Sequence, residues 1–207
     1  MHLSIRAHNG DFLFRPEVVK SFIYALLLSL KSIFGILVFD YVLMDNHIHL
    51  ILWVPSTEAL SRFMQRTFSA LACFVNKLHG RSGRVFGERA RTPVLQDGRR
   101  LLVTMRYLSL NPVRAGMTAS AHEYRWSGYR HYAFGEPDPL IDDAQEYLGL
   151  SGVAATRRKM YQELVAEIPG RGARKLPEMT SRYFVGEIGW VRDMLRRRGF
   201  LSKRHPP

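Results

Sequence analysis

Cysteine is almost missing from this chain: of 207 residues only Cys73 carries a thiol. An intramolecular disulfide is therefore impossible, a cysteine-rich zinc cluster is excluded, and a reducing cytoplasm is the compartment that fits. Acidic residues are also scarce, 18 Asp and Glu against 30 Lys and Arg, which leaves a formal charge of +12. The natural partner of such a surface is a polyanion, nucleic acid first and an anionic membrane second. An unbroken apolar run of membrane-spanning length is lacking too. The nearest, SFIYALLLSLKSIFGILVF from Ser21 to Phe39, follows Arg6, Arg15 and Lys20 much as a signal peptide's apolar region follows its basic one. Lys31 interrupts the run, however, Gly35 breaks it, and its residues change from helix-forming Ala and Leu to β-favouring Ile, Val and Phe. A buried helix leading into a strand accounts for it, with no membrane as partner. Internal repeats are absent as well. What remains is a chain that is 46% hydrophobic, enough for a real core in one domain of ordinary size plus an extension.

The pattern along that chain alternates. Residues 2–8 read as a strand, with Asn9-Gly10 as a turn, followed by a helix over roughly Pro16 to Ser32. Two further strands, about Gly35–Met44 and His47–Pro55, are joined so tightly at Asp45-Asn46 that they must run antiparallel. A second helix is expected from about Thr57 to Leu78, with Ser56 or Thr57 as N-cap and apolar residues recurring from Leu60 to Val75 at helical spacing. Val85-Phe86 and Thr92–Gln96 suit short strand pieces around a basic loop, and Arg99–Leu110 suits a third helix that Pro112 ends or kinks. The order β-α-β-β-α-β with an added helix predicts an α+β, ferredoxin-like antiparallel sheet with helices packed on one face. Gly135-Glu136-Pro137-Asp138-Pro139 marks a boundary, so we divide the chain into a domain over 1–134 and a helical, basic C-terminal extension over 135–207.

Two stretches carry chemistry. In DNHIHLILW, His47 and His49 stand on one face of a strand, because residues i and i+2 project together. They are either a pair of metal ligands or two satisfied histidines at a strand's start. In RYLSLNPVRAG, Tyr107 and Asn111 are four residues apart and share a helix face, which displays a hydroxyl beside an amide. Taken alone, that pair also suits a core aromatic followed by a helix stop.

Taken together, MDNHIHLIL, RYLSLNPVRAG and EYRWSGYRHY resemble the REP-associated tyrosine transposases, single-tyrosine relatives of the small insertion-sequence transposases in the HUH endonuclease superfamily. HLSIRAHNGDFLF, GRSGRVFGERARTPVL and SRYFVGEIG add to the likeness, which spans most of the chain. The resemblance implies that His47 and His49 bind a divalent metal, Mg²⁺ or Mn²⁺, that Asn111 completes the ligand set, and that Tyr107 is the nucleophile. It also implies single-stranded or hairpin DNA as partner, association with the nucleoid, and a monomer or homodimer. Three departures stand out. Asp45 occupies the place of a usual Pro, where a carboxylate bears either on metal affinity or only on the turn. Gly128 stands where Ser is common, and Met1 lies within the first strand, without the basic segment that precedes it in most members.

The implied chemistry is coherent on its own terms. A tyrosine oxygen that attacks a phosphodiester yields a 5′-phosphotyrosine and a free 3′-hydroxyl, and a cation on a non-bridging oxygen eases the added negative charge. Arg81, Arg84, Arg89 and Arg91, with Arg99 and Arg100, crowd a short loop around Phe86, and are either phosphate contacts or a solvated charged loop. Arg114 joins the second basic group near Tyr124, Trp126 and Tyr129, and Arg192, Arg196, Arg197, Arg198, Lys203 and Arg204 form a third. Two rivals remain at this level: a binding module of the same descent that no longer cuts, and an unrelated metallohydrolase that uses the histidines to activate water.

Overall fold

The computed structural model describes residues 1–96, 98–166 and 183–198. Its centre is a three-stranded antiparallel sheet in the order β1-β3-β2, built from β1 (His2–Arg6), β2 (Leu37–Leu43) and β3 (His47–Trp53). Met44 N–H donates to the carbonyl of His47 at 2.9 Å and closes the two-residue turn at Asp45-Asn46. Register follows from the pleat. Ser4 pairs with His49 and Val42 pairs with His49 from the other side. One face of the sheet therefore carries His2, Ser4, Arg6, His47, His49 and Ile51, and the other carries Leu3, Ile5, Ile48, Leu50 and Leu52. A bulge at Phe39 restores the alternation after Val38, so that Asp40 opposes Ile51.

The second face is apolar because two helices cover it. α1 (Glu17–Phe34) and α2 (Thr57–Leu78) pack against each other, and Phe22 stacks on Phe74 at 4.1 Å between ring centroids. Ser56 caps α2 by accepting from Ala59 N–H at 3.0 Å, as expected. The α+β architecture with these two helices on one face is the expected one. The added helix, α3 (Gly98–Arg114), lies across the opposite face, with Tyr107 edge-on to His49. Strands β2 and β3 are thus buried on both sides.

Two expectations need correction. Pro112 does not end α3 at Asn111; the helix continues to Arg114. Met117 N–H bonds the Pro112 carbonyl and Gly116 N–H bonds that of Val113, with Gly116 at φ 66°, so the proline sits in the last turn of a helix closed by a glycine C-cap. The residues expected as a strand at Thr92–Gln96 do not extend the sheet as one. Instead an irregular segment runs along β1: Ala7 bridges Phe86 and Ser4 bridges Arg91, so the segment takes five steps where β1 takes three. Gly87 N–H still donates to the Arg6 carbonyl at 3.2 Å, so the excess loops out at Glu88–Ala90. Only Val94–Leu95 forms a strand, β4, and it pairs in parallel with β5 (Phe184–Val185).

Beyond α3, short helices α4 (Tyr129–Phe134) and α5 (Gln145–Leu148) and the longer α6 (Ala154–Ala166) bring Tyr132, Tyr147 and Tyr161 together as a buried aromatic cluster. α5 and α6 pack on α3, where Ser109 Oγ and the Tyr161 hydroxyl share a hydrogen bond of 3.1 Å. The basic helix α7 (Ile188–Arg197) follows β5. Lys203 and Arg204 of the C-terminal basic run lie outside the described residues. Among the described residues, no helix is long and apolar enough to cross a membrane.

Candidate active site

A cleft of about 820 Å³ opens between β1, β3, the C-terminal half of α3 and the looped-out basic segment. Strand periodicity sets His47 and His49 on its floor. Helix periodicity sets Tyr107, Asn111 and Arg114 on its wall, since residues three and four apart share a face. The Glu88–Ala90 excursion, ending at Arg91, brings Arg89 and Arg91 to the cleft together with Glu88. All four residues singled out for chemistry therefore line one cavity. Of the five arginines singled out for DNA, Arg89, Arg91 and Arg114 line it and Arg81 and Arg84 do not. Arg81 Nη2 instead donates to the carbonyl of Arg84 at 2.9 Å, within their own loop.

Each histidine has its Nδ1 engaged. That of His47 lies 2.6 Å from Asn46 Oδ1, and Asn46 Nδ2 donates to the Gly10 carbonyl at 3.0 Å. This anchoring fixes the amide, so its oxygen faces the ring and His47 Nδ1 carries the proton. His49 Nδ1 lies 2.9 Å from Nε2 of His2, whose ring stacks on it. Reading the sequence missed His2, because a lone histidine at a strand's start has no partner at i+2 to flag it. The signal existed only in the strand register, which sets His2 on the face of His49. His2 is fully buried, and burial lowers its pKa to about 4. Arg6, which also lines the cleft, was missed for the same reason.

Tyr107 is mostly buried, its ring edge-on to His49 at 5.8 Å and covered by the Arg114 guanidinium 4.9 Å from the ring centroid. Burial raises the phenol's pKa, and the Arg114 charge opposes the rise. The guanidinium's own pKa is lowered by the same desolvation. Asp45 proves to be no part of the cleft: it pairs with Lys20 at 2.6 Å and Arg15 at 3.2 Å on the α1 side of the turn. Gly128 is explained by packing, because a Cβ there would run into Asp40 Oδ1 and Ile141.

The residues present suit a divalent cation. With both Nδ1 atoms engaged, Nε2 is the nitrogen through which either imidazole would ligate a cation. Asn111 is buried at the cleft wall, and it is its Oδ1, not the amide nitrogen, that would ligate a cation. Two imidazoles and an amide oxygen make a neutral set that leaves room for waters or phosphate on Mg²⁺ or Mn²⁺. Among the described residues, no three His, Cys, Asp or Glu side chains gather as an alternative set.

No family model and no curated protein matches the chain. Among solved structures, a REP-associated tyrosine transposase bound to a REP hairpin is similar over 69% of this chain and 84% of that one, with a TM-score of 0.54 and 12% identity. At such identity the likeness is one of fold: this chain is built like a transposase solved on a hairpin.

Proposed function

We propose that the chain is a metal-dependent single-stranded DNA endonuclease and strand transferase acting at hairpin-forming DNA. The observation that carries this reading is the convergence of Tyr107, His47, His49 and Asn111 in one cleft rimmed by Arg89, Arg91 and Arg114. Its fold likeness to a transposase bound to a REP hairpin supports the substrate class.

In this reading the arginines hold the backbone and Arg114 also lies over the attacking ring. The Tyr107 oxygen forms a bond to phosphorus, the bond to the 3′ oxygen breaks, the phenol proton passes to solvent or to the leaving oxygen, and a 5′-phosphotyrosine results. The free 3′-hydroxyl of another end can reverse the step, so cutting and joining use one site. A cation held by His47, His49 and Asn111 would supply Lewis-acid stabilisation of the phosphate charge.

The test is incubation with a hairpin-bearing single-stranded oligonucleotide and Mg²⁺, followed by mass mapping of a covalent adduct. The expected adduct is on Tyr107, and Tyr107→Phe should abolish it while folding and DNA affinity persist. His47→Ala and His49→Ala should each also abolish cleavage, since each removes one of three protein ligands. An adduct on Tyr124 or Tyr129, or normal cutting by both histidine variants under limiting metal, would overturn the assignment.

A further inference from the structure

We infer that Arg6 is a further catalytic residue of the proposed cut: its guanidinium grips a non-bridging oxygen of the scissile phosphate beside His47 and takes up the charge that develops as Tyr107 attacks. The inference rests on the proposed reading of the cleft and gives a role to a lining residue that this reading leaves idle.

Strand pairing places the side chain. Met1 and Leu52 exchange both backbone hydrogen bonds, at 2.7 and 2.8 Å, and Ala7 N–H donates to the Asn46 carbonyl at 2.8 Å. Odd-numbered residues along β1 therefore sit in hydrogen-bonded pairs with β3, and Arg6 faces His47 in a non-hydrogen-bonded one. Side chains stand closest in such pairs, with Cβ atoms about 4.5–5.5 Å apart, so the fold sets a cation directly beside His47. The Arg6 side chain is exposed, and its guanidinium reaches the turn at Gly10, where a Cβ would stand 3.5 Å from Nη2. The carbonyl of Gly10 is the one that holds Asn46, the partner of His47 Nδ1. Arg6, Asn46 and His47 thus converge on one turn.

The other cations of the cleft are placed differently. Arg91 pairs with Glu88 at 3.2 Å, and Arg114 lies over the Tyr107 ring at 4.9 Å. Arg89 is carried by the looped-out excursion, whereas Arg6 is carried by a paired strand that fixes its Cβ. Arg6 makes no hydrogen bond or ion pair among the described residues, so its N–H donors reach the cleft uncommitted. A guanidinium matches two oxygens of a phosphate in shape and stays protonated, so it serves as a donor and never as a base. When the Tyr107 oxygen adds to phosphorus, negative charge grows on the non-bridging oxygens. A donor already in place is then worth more than it is to the resting diester, and that difference accelerates the step.

Two readouts test this: single-turnover adduct formation on saturating hairpin oligonucleotide, and fluorescence anisotropy with Tyr107→Phe protein, which binds without cutting. The wild type's cut locates the scissile phosphate. In Arg6→Gln the rate should fall about 100- to 1000-fold, the cost of losing one donor to a developing charge, while affinity falls about 5-fold or less. Arg6→Lys keeps the charge without the fork and should recover part of the rate. The affinity difference made by Arg6→Gln should vanish on an oligonucleotide whose scissile phosphate is a methylphosphonate, which carries no charge to grip, and persist when a neighbouring phosphate is so replaced. An unchanged rate in Arg6→Gln would overturn the inference. So would an affinity difference that vanishes with a neighbouring phosphate instead, which would make Arg6 an ordinary backbone contact. A wild type that forms no adduct would overturn the proposed function itself and the inference with it, so the two failures are distinct.

Discussion

Arg114 and burial pull the Tyr107 oxygen in opposite directions, and the balance sets how readily it attacks. Removal from water raises the phenol's pKa, and the guanidinium over the ring opposes the rise by favouring the phenolate. A cation–π contact in a partly desolvated site is worth about 0.5–2 kcal/mol, so Arg114→Gln should slow adduct formation by about 2- to 30-fold and move its pH–rate profile to higher pH. Single-turnover rates across pH on saturating oligonucleotide would show this, and an unmoved profile would leave Arg114 as a phosphate contact alone. Asp40 is a second residue whose charge state matters. It is fully buried on the sheet face that carries Ile51, with Oδ2 lacking a partner among the described residues, and desolvation raises its pKa well above the carboxylate range. The folded state thus holds a proton that the unfolded chain releases above about pH 4, and stability falls as pH rises from there through the raised pKa. Asp40→Asn keeps the shape and the bond from Tyr41 N–H while removing that dependence. At pH 8 its Tm should exceed the wild type's by at least about 2–4 °C per kcal/mol recovered, and at pH 3.5 the two should melt alike.

Elements whose signals were local were readable in advance, and those set by partners were not. The ends of α2 at Thr57 and Leu78 and its Ser56 cap follow from side-chain chemistry within a few residues. The β2–β3 hairpin follows from two apolar, β-favouring runs and a two-residue turn. Pro112 misled because a proline's cost depends on what closes the turn after it, and Gly116 closes it four residues on. The segment beside β1 misled because its pairing is spent at Phe86 and Arg91 and the residues between them bulge outward. In the site, His47, His49, Tyr107 and Asn111 were legible through periods of two and four within single elements. His2 and Arg6 were not, since β1 reaches the cleft only through its register on β3. The Asp45 question was settled by α1: Lys20, almost wholly buried, draws the carboxylate toward the helix and ties the hairpin to it.

Charge dominates at the scale of the whole molecule, yet only part of it faces the cleft. Each phosphate contact contributes about 0.7 to the slope of log affinity against log salt for single strands, so Arg89→Gln with Arg91→Gln should lower that slope by about 1.4. Arg81→Gln with Arg84→Gln should leave it nearly unchanged, because neither residue lines the cavity. Fluorescence anisotropy at several salt concentrations distinguishes the pairs, and equal slopes for both would mean that the cleft rim does not follow the backbone. The rim itself is fastened at both ends. Val85 accepts from His8 N–H just past β1, Arg91 hydrogen-bonds Ser4 of β1, and β4 directly after them pairs with β5 from the far end of the described chain. The ordering entropy of this arginine row is thereby spent during folding, and a strand arriving at the cleft meets charges already in place. Binding should then be a single encounter limited by diffusion and steering: in stopped flow, the observed rate should rise linearly with oligonucleotide concentration and show no plateau from a slow loop closure.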